Sequence, residues 1–153
     1  MIKHIVTVFA AVSFLALVSA HGDQTEQTLL AKDAAIKGEV QYFTQGDYIY
    51  GWAGVGSSTS WKLNGFEAGN YDVTIVYSLQ GERAKRQFNI SCGSDTKKIT
   101  SLMPTGGWNT FKSKSLGSIK ISKSDTIFSV TAVEIPPTGY LMNLQKVTFK
   151  KAL

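Results

Sequence analysis

The chain has 153 residues, of which 43% are hydrophobic and 11% aromatic, with a formal charge of +5 and one cysteine. That length supports a single domain with a sizeable core. The lone Cys92 excludes an intramolecular disulfide, so packing alone must hold the fold.

In chain order, Met1–Ile2–Lys3–His4 leads into an apolar run from Ile5 to Val18, broken only by Thr7 and Ser13. Val18–Ser19–Ala20 then places small residues at the −3 and −1 positions of a cleavage site. Residues 1–20 therefore read as a cleavable secretory signal peptide, and the product as secreted or periplasmic. The run is too short and wrongly flanked for a membrane span. No cysteine stands at the cleavage point, which argues against a lipid anchor. Cleavage leaves roughly 133 residues and removes Lys3, lowering the formal charge from +5 to +4.

Residues 21–28 are polar and are expected to form a flexible tail, with one β-sandwich domain over 29–153. Only Leu29 to Ile36 supports a helical turn or two. Beyond it the pattern is that of strands. Tyr71, Val73, Ile75, Tyr77 and Leu79 alternate with Asp72, Thr74 and Ser78, which predicts a half-buried strand. Gln87–Phe88–Asn89–Ile90–Ser91–Cys92 alternates equally well and puts Cys92 on the core face as an inert thiol. Residues 118–122, 126–130 and 147–149 continue the theme. Turn signals separate these runs at Gly46–Asp47, Gly54 to Ser60, Asn64–Gly65, Gly69–Asn70, Gly93–Ser94–Asp95, Gly106–Gly107 and Pro136–Pro137–Thr138–Gly139. Eight to ten short strands without helices predict an all-β, antiparallel sandwich of jelly-roll type.

Few residues offer chemistry. His21 is the one histidine left after cleavage, so it has no second histidine with which to complete an N-terminal copper site, and zinc lacks ligands for the same reason. A nucleophilic triad lacks its histidine, and no phosphate loop appears. A glycosidase needs two converging carboxyl groups. Most of the acidic residues (Asp47, Glu67, Asp72, Glu82, Asp95) fall at turns or on predicted solvent faces, so no enzyme is expected and no cofactor is implied. Lysine and arginine cluster over 82–86, at Lys97–Lys98 and at Lys112, Lys114, Lys120 and Lys123. They read as a solvated surface, or as an attraction for an acidic glycan. Asn89–Ile90–Ser91 matches a glycosylation sequon but lies within a predicted strand.

The most informative stretch is Thr105–Gly106–Gly107–Trp108–Asn109–Thr110–Phe111. Glycines let the backbone approach a ligand closely. An indole offers a flat apolar face with a polar N–H at its edge, which suits the C–H-rich face of a sugar. The competing reading is a tryptophan that caps the core beneath a turn.

Taken together, Leu30–Ala31–Lys32–Asp33–Ala34 with Gly38 and Val40, Trp52 and Trp61 nine residues apart, Gly69–Asn70–Tyr71–Asp72–Val73, the Thr-Gly-Gly-Trp segment with Phe111, and Met142–Asn143–Leu144–Gln145–Lys146–Val147 resemble the family 6 and family 35 carbohydrate-binding modules. These belong to the galactose-binding-like β-sandwich group. The chain is also similar to modules appended to secreted bacterial sulfatases and hydrolases, around Leu116–Gly117. The resemblance covers nearly all of the chain after Ala20 and implies a non-catalytic, secreted module that binds a polysaccharide or oligosaccharide, with no nucleic-acid partner and with a secreted enzyme as possible company. It implies a cleft in which Trp52 and Trp108 are stacking platforms and Asn143 is a hydrogen-bonding amide. Trp61 would be a core residue, and Tyr48 and Tyr50 would line the cleft or pack beside it; Tyr50 is included among the candidate ligand residues. The families commonly hold a structural calcium, but Leu30, Lys32 and Gln145 stand where its acidic ligands are expected, so no metal is anticipated here. The alternative function is a structural or interaction domain of the cell envelope whose tryptophans are simply packed, and behind it stands a small polysaccharide-active enzyme.

Overall fold

The computed structural model describes residues 26–81, 86–123 and 127–152. The signal-peptide expectation lies outside the described residues, as does most of the basic run over 82–86. The described chain forms eleven strands: β1 (Glu26–Leu30), β2 (Ala35–Lys37), β3 (Gln41–Phe43), β4 (Tyr48–Tyr50), β5 (Ser58–Lys62), β6 (Gly69–Leu79), β7 (Gln87–Cys92), β8 (Asp95–Ile99), β9 (Gly107–Ile121), β10 (Ile127–Glu134) and β11 (Asn143–Lys151). They make two antiparallel sheets. One has the order β3-β4-β11-β6-β9, with β1 also paired to β11, and the other has the order β2-β5-β10-β7-β8.

The alternation that predicts β6 has its cause in this layering. Val73, Ile75, Tyr77 and Leu79 point inward and are buried, while Asp72, Thr74 and Val76 lie on the outer face. Phe88, Ile90 and Cys92 do the same from β7. Across the gap between sheets, Phe149 of β11 meets Phe128 of β10 edge to face, with centroids 5.0 Å apart at 89°. Each such side chain, fully removed from water, contributes about 1.5–3 kcal/mol.

One expectation needs correction, and a second is met at its lower limit. The polar tail was expected to run through Thr28, yet Glu26, Gln27 and Thr28 are already in β1, paired with Lys150, Phe149 and Thr148. Their alternating pattern is too short to stand out, and it is the free edge of β11 that organises them. The helical turns expected over 29–36 reduce to one 3-10 turn, Ala31–Asp33, between β1 and β2. Nucleating a helix is unfavourable, and so short a segment cannot recover that cost against two flanking strands.

The strand β11 positions the rest. Its one edge pairs with β6 along almost its whole length, and the other is shared, with β1 on Lys146–Lys150 and β4 on Leu144. The switch between partners coincides with a bulge between Leu144 and Lys146. The start of β11 is thereby left beside β4, the start of β9 and the loop over 135–142.

Candidate functional site

At that end of the sandwich lies a hollow of about 640 Å³, lined among others by Glu39, Gln41, Tyr48, Tyr50, Trp108, Tyr140 and Asn143. On β4, Ile49 points into the core and is fully buried, so its neighbours Tyr48 and Tyr50 face outward into the hollow. The two rings stand 6.2 Å apart at 83°. The Tyr50 hydroxyl donates to Gln41 Oε1 at 2.7 Å, which fixes the wall shared by β3 and β4. Trp108 and Tyr140 form a second right-angled corner, 6.2 Å apart at 74°. Aromatic contacts continue outward from Tyr48 to Phe43 at 5.1 Å and to Phe111 at 5.5 Å.

The Gly-Gly-Trp segment is held by its backbone. The Thr105 N–H donates to Leu79 O at 2.9 Å and the Leu79 N–H donates to Thr105 Oγ1 at 2.9 Å, a reciprocal pair that clamps the turn to β6. Gly106 has φ +109, a value that L side chains rarely adopt, and a Cβ there would meet Thr110 Cγ2 at an ordinary 3.9 Å, so backbone freedom rather than crowding calls for glycine. Next, the Trp108 carbonyl accepts from Ser78 Oγ at 2.5 Å and from Asn143 Nδ2 at 3.0 Å. The Trp108 ring is only partly buried, and its indole N–H has no hydrogen-bond partner among the described residues.

The four candidate ligand residues thus divide. Trp108, Tyr50 and Asn143 come together around the hollow. Trp52 does not. It is completely buried, and a ring with no exposed surface cannot be a stacking platform. Gly51, at φ +72, turns the chain after Tyr50 so that the next side chain enters the core. The Trp52 carbonyl accepts from Leu141 N at 3.2 Å, and the neighbouring Ala53 N–H donates to Glu39 O at 3.1 Å. Trp52 therefore supports two walls of the hollow from behind. Asn143 has one amide N–H committed to the Trp108 carbonyl and is 6% exposed, so it holds the wall as well as lining it.

Three contributors escaped the sequence reading. Glu39 lies in the lining and makes no ion pair among the described residues. Tyr140 is 48% exposed at a loop tip without periodicity. Arg86, expected on a solvated basic face, is 6% exposed, and its Nε donates to Tyr140 O at 3.0 Å. Its position next to the alternating β7 run was the available signal.

A second hollow of about 600 Å³ opens between β1, β2 and β5, lined by Gln27, Asp33, Trp61, Lys62, Asn64 and Phe66 among others. Trp61 is 3% exposed, and its Nε1 donates to Leu30 O at 2.8 Å, the core role expected of it. That bond also occupies the carbonyl at one position where the resemblance implies calcium. Leu30, Lys32 and Gln145 bring no carboxylate, and no three His, Cys, Asp or Glu residues converge among those described. The donor set does not fit a hard cation.

No family model and no curated protein sequence matches the chain. Solved structures do. A family 35 carbohydrate-binding module from Clostridium thermocellum superposes with a TM-score of 0.66 at 21% identity, over 84% of this chain and 99% of that one. The C-terminal family 6 module of LamC, a marine laminarinase from Zobellia galactanivorans, gives 0.65 at 17% identity, over 83% and 100%. A family 6 module of Cellvibrio mixtus lichenase 5A, solved with cellotriose, gives 0.62 at 16% identity, over 83% and 98%. The chain therefore has the antiparallel β-sandwich fold of the family 6 and family 35 carbohydrate-binding modules.

Proposed function

We propose that the protein is a non-catalytic, secreted glycan-binding module whose binding site is the hollow around Trp108. The observation that carries this reading is the division of labour within one residue. The Trp108 backbone is fixed by Ser78 and Asn143, while its ring is left partly open beside Tyr140, with an indole N–H that has no hydrogen-bond partner among the described residues. A sugar would stack on that ring, with Tyr50 and the Asn143 amide as hydrogen-bonding partners for its hydroxyls. A stacked ring contributes on the order of 1–3 kcal/mol, by analogy with bases on aromatic side chains. Binding is expected to be weak, because few contacts must offset the cost of association. Catalysis is unsupported, since the described lining residues include one carboxylate, Glu39, where glycoside hydrolysis needs two. Export follows from the apolar leader ending at Ala20.

The test is a glycan array run with the wild type and with Trp108→Ala, alongside thermal melts. Loss of retention in a variant that melts near the wild type supports the assignment. Unchanged retention, or collapse of the fold, refutes it and leaves the structural-domain alternative.

A further inference from the structure

The chain is basic, yet no lysine is among the described residues that line the Trp108 hollow. Among those described lining residues Glu39 is the sole charged side chain. Its position is built by the backbone. Gly38 precedes it at φ +86, the Glu39 N–H donates to Ser57 Oγ at 2.9 Å, and its carbonyl accepts from Ala53 N. The carboxylate makes no ion pair and no hydrogen bond among the described residues. Glu39 is exposed, and it is its place in the lining that sets it apart: Asp47 is engaged with the Tyr42 hydroxyl, Glu67 with Lys151, Asp72 with Ser118 and Asp95 with the Lys120 N–H, while Glu26, Asp33 and Glu134 lie outside this hollow.

The aromatic walls around this carboxylate meet at right angles, Tyr48 against Tyr50 and Trp108 against Tyr140. Perpendicular rings suit a compact group more than an extended flat face. Their electron-rich faces attract a cation, and an unpaired carboxylate attracts the same charge. An anionic sugar would meet that carboxylate with no cation among the described lining residues to offset it, which disfavours an acidic glycan in this hollow.

Building on the glycan-binding reading of the same site, we infer that the hollow takes a sugar bearing a protonated amine, as in a glucosamine polymer with free amino groups, and that Glu39 is the residue that selects it. The amine would sit against Glu39 and the aromatic corners while the pyranose ring stacks on Trp108.

Three probes of equal length settle this by isothermal titration at low salt: a glucosamine oligomer, its fully N-acetylated counterpart, and a cello-oligosaccharide. The wild type is expected to bind the glucosamine oligomer about fivefold or more tighter than the other two, an advantage that shrinks as salt is raised. Glu39→Gln should erase the difference between the amine and acetylated oligomers, whereas Asp72→Asn, outside the hollow, should leave it. Trp108→Ala should abolish binding of all three. Equal or tighter binding of the acetylated or cello-oligomer by the wild type overturns the inference, as does a preference that survives Glu39→Gln. If neutral oligomers bind and Trp108→Ala removes that binding, the glycan-binding reading stands while the amine preference falls. If no oligomer binds, both fall.

Discussion

Two tryptophan-lined hollows of similar volume, about 640 and 600 Å³, lie on this sandwich, and they differ in which part of the tryptophan is tied down. In the second, the Trp61 ring is the anchored part. Its N–H donates to Leu30, its face lies 6.2 Å from Phe128, and almost none of it is exposed. In the first, the Trp108 carbonyl is the anchored part and the ring is left open. A ring whose polar edge and face are already satisfied has little to offer a ligand, whereas one presented by a rigid backbone has both. Size of the hollow does not separate the two sites, but anchoring does.

The comparison can be broken most decisively at Trp61. Replacing it with alanine should cost about 3–5 kcal/mol, as other large aromatic truncations in cores do, and this would appear in denaturant melts. Binding by the fraction that remains folded should be unchanged; a specific loss of glycan retention in that fraction would put a ligand in the second hollow. Trp108→Ala comes next, removing about 1–3 kcal/mol of binding with a far smaller change in melting. Acrylamide quenching sharpens it, because Trp52 and Trp61 are shielded and the quenchable emission should vanish in that variant. Ser78→Ala removes one of the two donors to the Trp108 carbonyl from a fully buried position, for a loss of about 1 kcal/mol in stability and a modest weakening of binding.

The smallest effect is expected at the far end of the sandwich. Lys151 donates to Glu67 at 2.6 Å, which holds the Glu67 carboxyl below its ordinary range and Lys151 above its own. A lowered carboxyl stabilises the fold above the usual glutamate range and loses that contribution as pH falls through its lowered value. A raised lysine loses its contribution as pH rises through its raised value. Glu67→Gln should therefore shift melting only between those limits, slightly, and hardly at all in high salt, because the pair is exposed. A shift at neutral pH as large as that of Ser78→Ala would show the pair to be more than superficial.

What the sequence discloses follows the reach of its signals. Strands such as β6 and β7 are legible because burial on one face writes a period of two into consecutive residues. The Gly-Gly-Trp turn is legible because paired glycines before an indole are costly unless the turn is needed. The burial of Trp52 is not legible because the stretch around it is held by distant partners, Leu141 bonding the Trp52 carbonyl and Glu39 accepting from Ala53, and because a left-handed Gly51 turns it inward within a turn-rich stretch that looks exposed. Tyr140 and Glu39 carry no periodic signal at all, and they reach one hollow through long-range contacts, the pairing of β4 with the start of β11 and the backbone bonds of residues 52 and 53. The buried guanidinium of Arg86 was hidden by the charged run around it, where charge usually means solvent.

Both open rings of the hollow are fastened through main-chain oxygens, Trp108 by Ser78 and Asn143 and Tyr140 by Arg86. Every amino acid brings that same oxygen. Residues 108 and 140 can therefore be exchanged, by evolution or by a protein engineer, while the loops that carry them keep their seats. On the glycan-binding reading proposed above, the scaffold would serve as a socket with replaceable contacts, and a library randomised at these two positions alone should be rich in folded proteins.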